Sequence, residues 1–347
     1  MSCRELLRAL EQEQVRTTYS YLYGPGTVFP LAEPKDSGDY LLNVIRGRRP
    51  SSAARATVVY GQADAFERGR GRYRVGYTML EVDGFPAEWV RQANTMDEIW
   101  VPSAFNRDGM ESSGVRRPIH LMPLGVDTDT FNPRVRGVRN RHEFVFLATF
   151  EWGERKNPAL LLQAFSDTFS HREPVRLVCK INNTDPRVHI KKEIAALQLP
   201  ASGGRMSFLF NLEFPHYQLA ALYRSADCFV SAGRGEGWDM PLMEAMACGL
   251  PAIATDWGAH REFVDARVAY PLAVGRTIPA VARCPYYDGF SWADPDADHL
   301  RSLMREVYEN QSAAAARGAA AAADMAERWT WRHAARRIAA RLSAVSD

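Results

Sequence analysis

Two stretches in the second half of the chain combine charge, glycine and a helix start. The first is FEWGERKNP, residues 150–158, in which Arg155 and Lys156 stand just before an expected helix with Asn157 as N-cap and Pro158 as its first residue. Two cations beside the free N–H groups of a helix N-terminus suit a diphosphate; the plainer reading is a pair of exposed loop charges. The second is SAGRGEGWDMPLMEAMACGLPAIATDWG, residues 231–258. Gly233, Gly235 and Gly237 form a turn after an apolar strand, and Pro241 starts a helix that Gly249 and Pro251 end. Glycines in such a turn let the backbone approach a ligand closely. Glu236 sits in the turn and Glu244 follows eight residues later, so one carboxylate can project into a crevice while the other flanks the same pocket. Glu244 also suits a helix start by charge alone. A carboxylate between two glycines, in contrast, has no packing purpose.

The elements that must position these residues alternate regularly. Strand 143–150 leads to helix 158–169, strand 175–181, helix 187–198, strand 206–211, helix 215–225 and strand 227–231. Helix 241–248, strand 251–255 and helix 259–264 complete the run, and 294–347 reads almost entirely as helix. Such alternation predicts an α/β fold, a parallel sheet with helices on both faces and ligands at the carboxyl ends of its strands. The first half reads as helix 4–14, strand 15–22, a loop rich in Gly, Pro and Asp at 23–39, and strands 57–60 and 73–80. Helix 86–96 and strand 97–103 come next, with Ser103 as N-cap of a helix from 104 and a further strand at 119–127. The turn-rich segment 128–140 marks a domain boundary.

Composition narrows the class. The 347 residues are 46% hydrophobic and 24% charged with a net charge of +2, enough for two domains with a core each. No window approaches the roughly 18 consecutive apolar residues of a membrane span. The first residues, MSCRELLRALEQEQV, read as an amphipathic helix and not as a secretory signal. Five cysteines, at 3, 179, 228, 248 and 284, are scattered without CxxC spacing, which argues against a disulfide framework or structural zinc and for a reducing, cytoplasmic setting. Of the 43 basic residues only five are lysine, a bias that resembles GC-rich coding, and 41 acids nearly cancel them. A nucleic-acid footprint is therefore not expected. The densest basic run, RGRGRYR at 68–74, reads as a solvated loop, with an anionic acceptor or peripheral membrane contact as the alternative.

The segment EGWDMPLMEAMACGLPAIATD resembles, nearly residue for residue, the Glu-x7-Glu signature of retaining glycosyltransferase family 4. GERKNPALLLQAF is similar to that family's phosphate-binding loop and following helix, and ALYRSADCFVSAGRGEGW to the helix and strand that lead into the signature. DEIWVPS and HLMPLGVDTDTFNP resemble the end of its N-terminal domain, and WTWRHAARRIAARL its closing helix; the likeness spans roughly residues 75–345. The resemblance implies a GT-B fold, two Rossmann-like domains with parallel sheets facing a central cleft. It places an acceptor-side domain at 1–138, a nucleotide-sugar domain at 139–325 and a returning C-terminal helix at 326–347. It also implies a hexosyl transferase that moves a sugar, with retention, from a nucleotide-sugar to a small-molecule, glycan or lipid hydroxyl. UDP is the expected nucleotide and GDP the next. Glu236 would contact the donor sugar, within a cradle of Gly235, Gly237, Trp238, Asp239, Met240 and Pro241 whose backbone N–H groups surround sugar and diphosphate. Glu244 would hold the ribose hydroxyls, and Arg155 and Lys156 would neutralise the leaving diphosphate. No metal and no cofactor is implied, and no DxD-like acidic pair stands out. A non-catalytic scaffold, and a phosphorylase or epimerase on the same fold, are the competing expectations.

The chain departs from the family pattern in three places. No strand precedes residue 4 and Gly24-Pro25-Gly26 follows the next strand, so the first strand of the N-terminal domain is expected to be missing. Phe150 stands where relatives often carry an arginine, leaving Arg155 to supply the second cation. His120, within a strand, reads as a packed or edge-facing histidine, whereas YTMLEVDGFP offers Glu81 and Asp83 at a strand end. Glu81 is expected to orient or deprotonate the acceptor, its plainer reading being a loop carboxylate. His260 and Glu262 stand at another helix start, as support for the donor pocket or as caps. Trp238, Trp257 and Trp292 are candidates to stack on sugar faces, although such aromatics more often pack cores.

Overall fold

The computed structural model describes residues 2–20, 39–49, 51, 54–139, 142–183 and 185–345. The chain divides into two compact units, one made of Met1–Leu80, Gly84–Gly125 and Trp329–Asp347, the other of Glu81–Asp83 and Val126–Arg328.

The smaller unit contains α1 (Ser2–Gln12), α2 (Tyr40–Gly47), β1 (Thr57–Tyr60), β2 (Arg74–Tyr77), α3 (Ala87–Ala93), β3 (Glu98–Val101), α4 (Ala104–Ser112) and β4 (Ile119–Leu121). Its four strands pair in parallel in the order β1-β2-β3-β4. Ser103 caps α4 as anticipated, its hydroxyl accepting from the Asn106 N–H at 3.2 Å. The expected strand at 15–22 does not form over its described part, 15–20. There the Thr17 N–H and hydroxyl both donate to the Glu11 carboxylate at 2.8 Å, so a side chain takes the place of a ladder partner. Residues 21–22 and Gly24-Pro25-Gly26 lie outside the described residues. Helix α2 was not anticipated; Asp39 caps it by accepting from Leu42 N–H.

The helix Trp331–Ala344 also belongs to this unit. It starts with a capping box between Thr330 and His333 and buries Trp331, Ala335 and Ile338. Its Arg341 Nε donates at 2.9 Å to Glu98, a fully buried carboxylate that also accepts from Tyr73 at 2.8 Å and Trp100 at 2.7 Å. His120, half-buried, lies 3.4 Å from the same carboxylate. Burial pushes its pKa down against the pull of Glu98.

The larger unit holds β5 (Phe144–Glu151), α5 (Pro158–Thr168), β6 (Val175–Asn182), α6 (Ile190–Ala196), β7 (Arg205–Phe210), α7 (His216–Arg224) and β8 (Cys228–Ser231). It continues with α8 (Met240–Ala247), β9 (Ala252–Thr255), β10 (Tyr270–Leu272), β11 (Val274–Pro279), β12 (Ser291–Pro295), α9 (Ala297–Glu309) and α10 (Gln311–Arg328). Six strands form a parallel sheet in the order β10-β9-β8-β5-β6-β7, the doubly wound Rossmann arrangement. Phe146, Phe165, Phe169, Leu177, Leu300 and Met304 pack together in a core between β5, β6, α5 and α9. The expected helix 259–264 is a short 3-10 turn, Gly258–Glu262, and β11 and β12 form an unanticipated antiparallel hairpin. Prolines at 271, 279, 285 and 295 mask that hairpin in the hydropathy pattern.

The division at Gly125 and Val126 falls before the expected boundary at 138 because 128–139 packs on the larger unit. Phe131 is buried against Tyr223, with ring centroids 6.0 Å apart, and Val138 N–H donates to Ser225 at 2.9 Å. Residues 326–328 finish α10, so the returning segment starts at Trp329. All five cysteines are unpaired. No helix among the described residues is long and apolar enough to cross a membrane.

Candidate active site

Sequence order reverses in the larger sheet between β5 and β8, which lie side by side with Phe146 opposite Cys228. Loops leaving the carboxyl ends of two such strands diverge and leave a crevice where ligands bind. The loop after β5 carries Arg155 and Lys156 in a 3-10 turn, Glu154–Lys156, and the loop after β8 carries Glu236. Arg234 stitches the two together, its N–H donating to Arg155 O at 2.7 Å and its Nη1 to Glu154 O at 2.9 Å. Asn157 holds the N-cap position of α5 in left-handed backbone (φ 52°) without capping through its side chain.

Arg155, Lys156 and Glu236 meet as one cluster. Glu236, 4% exposed, accepts from Arg155 Nη1 on Oε2 at 2.8 Å and from Lys156 Nζ on Oε1 at 2.6 Å. Burying a carboxylate is tolerable when both oxygens are paired in this way. Arg155 also donates to Gly235 O at 2.8 Å, which fixes the turn that carries Glu236. Burial works against the Arg155 charge, but Glu236 and then Glu81 more than offset it and raise its pKa. Glu81 joins the cluster from residues 81–83, with Oε1 4.0 Å from Arg155 Nη2 and Oε2 accepting from Tyr287 at 2.8 Å. Asp83 is turned elsewhere and accepts the Ser291 N–H at 2.8 Å.

A second buried network lies at the start of α8. Asp239, in left-handed backbone (φ 68°), accepts the Leu242 N–H as N-cap. Its other oxygen accepts from Ser231 at 2.6 Å and faces His260 Nε2 at 2.9 Å, while His260 Nδ1 lies 2.8 Å from Thr255 O. Both ring nitrogens thus face acceptors, and a doubly protonated ring satisfies both. Burial opposes that charge, yet the Asp239 hydrogen bond and charge outweigh it and raise the His260 pKa. Burial would raise the Asp239 pKa, but Lys156 and His260 carry it well below the usual range. Glu244 is buried on α8 and accepts from Tyr223 at 2.9 Å. Burial lifts its pKa to about 7, the charges of Asp239 and Asp127 adding to the effect and Tyr223 and Lys180 opposing it.

The structure brings Arg155, Lys156, Glu236 and Glu81 into one cluster and sets Asp239 and Glu244 along α8 beside it. Two of these positions are also tied into the protein itself. Gly235 is required by protein and not only by a ligand, since a Cβ there would lie 2.1 Å from Glu81 O. The Trp238 side chain is not open to a sugar; it is 2% exposed, packs on Phe263 at 5.3 Å and donates to Met243 Sδ at 2.8 Å. Trp257 and Trp292 are buried as well. Phe150 lies tilted against Trp152, with centroids 6.3 Å apart, and brings no charge. Sequence reasoning missed Tyr287, Tyr223 and Lys180. An apolar strand interrupted by lysine, VRLVCKI, was the one visible signal: Lys180 is 9% exposed and donates to Asn182 Oδ1 at 3.1 Å.

Comparison with known proteins agrees with this architecture. Residues 141–283 match the family model described as Glycosyl transferases group 1. An MMP alpha-(1->4)-mannosyltransferase of Mycolicibacterium hassiacum is 30% identical over 203 residues, 57% of this chain and 46% of that protein. A GDP-mannose-dependent alpha-(1-6)-phosphatidylinositol monomannoside mannosyltransferase of Mycolicibacterium smegmatis is 27% identical over 291 residues, 78% of this chain and 68% of the relative. Anabaena HepE, solved in complex with UDP and glucose, matches with a TM-score of 0.61 at 16% identity, over 79% of this chain and 72% of that one. With several of its curated relatives the match spans about half of their length. By fold the chain is a GT-B protein. Over residues 141–283 it is similar to the glycosyl transferases of group 1.

Proposed function

We propose that the chain is a retaining glycosyltransferase that moves a sugar from a nucleoside-diphosphate sugar to a hydroxyl acceptor. The observation that carries this reading is the cluster of Arg155, Lys156 and Glu236 at the switch point of the larger sheet. Glycosyl transfer builds positive charge at the anomeric carbon and negative charge on the departing phosphate. Preorganised cations at a helix start lower the second cost, and a carboxylate held beside them suits the sugar. Arg155 and Lys156 supply that charge themselves, so the reaction is written without a metal or cofactor. Glu244 takes the ribose hydroxyls, the backbone from Gly235 to Pro241 takes sugar and diphosphate, and Glu81 receives the acceptor hydroxyl.

The donor is UDP- or GDP-linked. The two mannosyltransferase relatives move the sugar towards mannose and the GDP-mannose-dependent one moves the base towards guanine, while the Anabaena structure holds UDP. The acceptor is a small molecule, a glycan or a lipid headgroup.

The test is a screen of UDP- and GDP-sugars for thermal stabilisation and for hydrolysis, run with EDTA present. The wild-type chain is expected to bind one nucleotide and release it from one sugar. Glu236→Ala is expected to lower that turnover by about 10²-fold or more, the scale seen when a transition-state contact is removed. Binding without any turnover would favour the scaffold reading. Equal turnover by Glu236→Ala would overturn the site.

A further inference from the structure

The hairpin of β11 and β12, with its connecting residues 280–290, lies outside the loops after β5 and β8 that carry the cluster. Its contacts converge on the candidate site. Ala293 N–H donates to Arg234 O at 2.9 Å, which ties β12 to the glycine-rich loop. Arg283 lies 3.9 Å from Glu154, at the foot of the loop that carries Arg155 and Lys156. Ser291 N–H donates to Asp83 and Tyr287 Oη donates to Glu81, both at 2.8 Å. A single hairpin therefore braces both cluster loops and the 81–83 segment.

Resting on the glycosyl-transfer reading above, we propose that Tyr287 is a positioning residue for Glu81: it occupies Oε2 and thereby presents Oε1 to the acceptor hydroxyl. The two oxygens have different surroundings. Oε2 is taken by the tyrosine, whereas Oε1 stands 4.0 Å from Arg155 Nη2, beyond hydrogen-bond reach, on a side chain 22% exposed. Without the tyrosine hydroxyl the carboxylate can close the 4.0 Å gap to Arg155, and the guanidinium that Glu236 now shares would be divided between two acids. The tyrosine is itself held. Its ring meets the buried Trp292 edge to face at 5.3 Å, and its N–H closes the 3-10 turn Pro285–Tyr287 on Cys284 O. The backbone of Glu81 is pinned separately, because Gly235 packs directly on its carbonyl oxygen. Tyr287 thus sets the direction of a carboxylate whose main chain is already placed. In the transfer the anomeric C–O bond to the diphosphate breaks and a new C–O bond to the acceptor forms. The bonding pair of the broken bond leaves on the diphosphate, and Glu81 accepts first the hydrogen bond and then the proton of the acceptor's hydroxyl, so that its lone pair faces the anomeric carbon.

Tyr287→Phe keeps the ring on Trp292 and removes only the hydroxyl. The assay uses the nucleotide-sugar hydrolysed best by the wild-type chain, with water as acceptor, and UDP and GDP as binding probes. Expected results are nucleotide affinity and donor KM within about 2-fold of wild type and kcat lowered by about 10-fold to 10²-fold, the cost of misplacing a reacting group by a fraction of an ångström to 1 Å. In a Glu81→Gln background, Tyr287→Phe is expected to cause no further loss, because two groups acting through one another are not additive. Wild-type kcat in Tyr287→Phe, an equal loss in the Glu81→Gln background, or loss of nucleotide affinity together with kcat would each overturn the positioning role. A wild-type chain that binds neither UDP nor GDP would overturn the transfer reading itself, and this role with it.

Discussion

Glu236 and Glu244 come from one motif but meet different surroundings. Glu236 has a cation on each oxygen, whereas Glu244 is buried with a tyrosine hydroxyl and two neighbouring carboxylates. Burial raises the Glu244 pKa from 4.5 to about 7, so the folded chain binds this proton more tightly than the unfolded chain does. The stability this proton contributes is present below pH 4.5 and is lost as pH rises through about 7. Glu244→Gln removes the titration. Between pH 5 and pH 8 the variant is therefore expected to gain on wild type by about 2–3 kcal/mol, at about 1.4 kcal/mol per pKa unit. Denaturant unfolding at the two pH values measures it, and a pH-independent difference would mean that Glu244 titrates normally.

At the level of elements, the site depends on three loops fitting into one another. The glycine-rich loop lies against Glu81 so closely that position 235 has no room for a Cβ, the nearest atom being a backbone oxygen at 2.1 Å. Gly235→Ala is therefore expected to push the 81–83 segment away from Arg155. It should lower stability by about 1–3 kcal/mol, the usual cost of overpacking, and turnover by more than nucleotide affinity. Calorimetry and the hydrolysis assay on the same variant check both, and an unchanged melting temperature would show that the loops are not in contact. Helix α8 also depends on its loop. Asp239 caps it from a left-handed conformation that ordinary residues avoid, and holds that shape through Ser231 and His260. Gly249, at φ 78°, ends the same helix, so the motif supplies both its start and its stop.

On the scale of the whole molecule, the smaller unit is built from both ends of the chain. The helix Trp331–Ala344 buries Trp331 and Ile338 there, and its Arg341 pairs with the fully buried Glu98. Removing residues 329–347 would expose that apolar face and leave Glu98 without its cation. Loss of one partner of a buried pair costs about 3–5 kcal/mol on its own. The truncated chain is expected to lose the cooperative unfolding of the smaller unit and to keep nucleotide affinity, because Arg155, Lys156, Glu236 and Glu244 all lie in the other. Thermal scans with and without UDP or GDP separate the two outcomes. Loss of nucleotide affinity on truncation would mean that the donor site is not confined to the larger unit.

What the sequence determined by itself was local. Alternating apolar strands and capped helices in 143–255, with Pro158, Pro241, Gly249 and the Glu236–Glu244 spacing, follow from propensity and periodicity within a few residues, and the structure reproduces them with bounds shifted by one to three positions at most helix and strand ends. The first half was less legible. Its strands are three or four residues long, and Glu11 diverts the backbone of one expected strand. Only the tertiary structure decided which charges meet. Arg155 and Glu236 lie 81 residues apart and Tyr287 and Glu81 are separated by 206, and no local rule couples such positions. Their pairing follows from the strand order that sets β5 beside β8 and from a proline-rich hairpin whose path is chosen by the core beneath it. That packing turns two loop cations and two scattered carboxylates into one site.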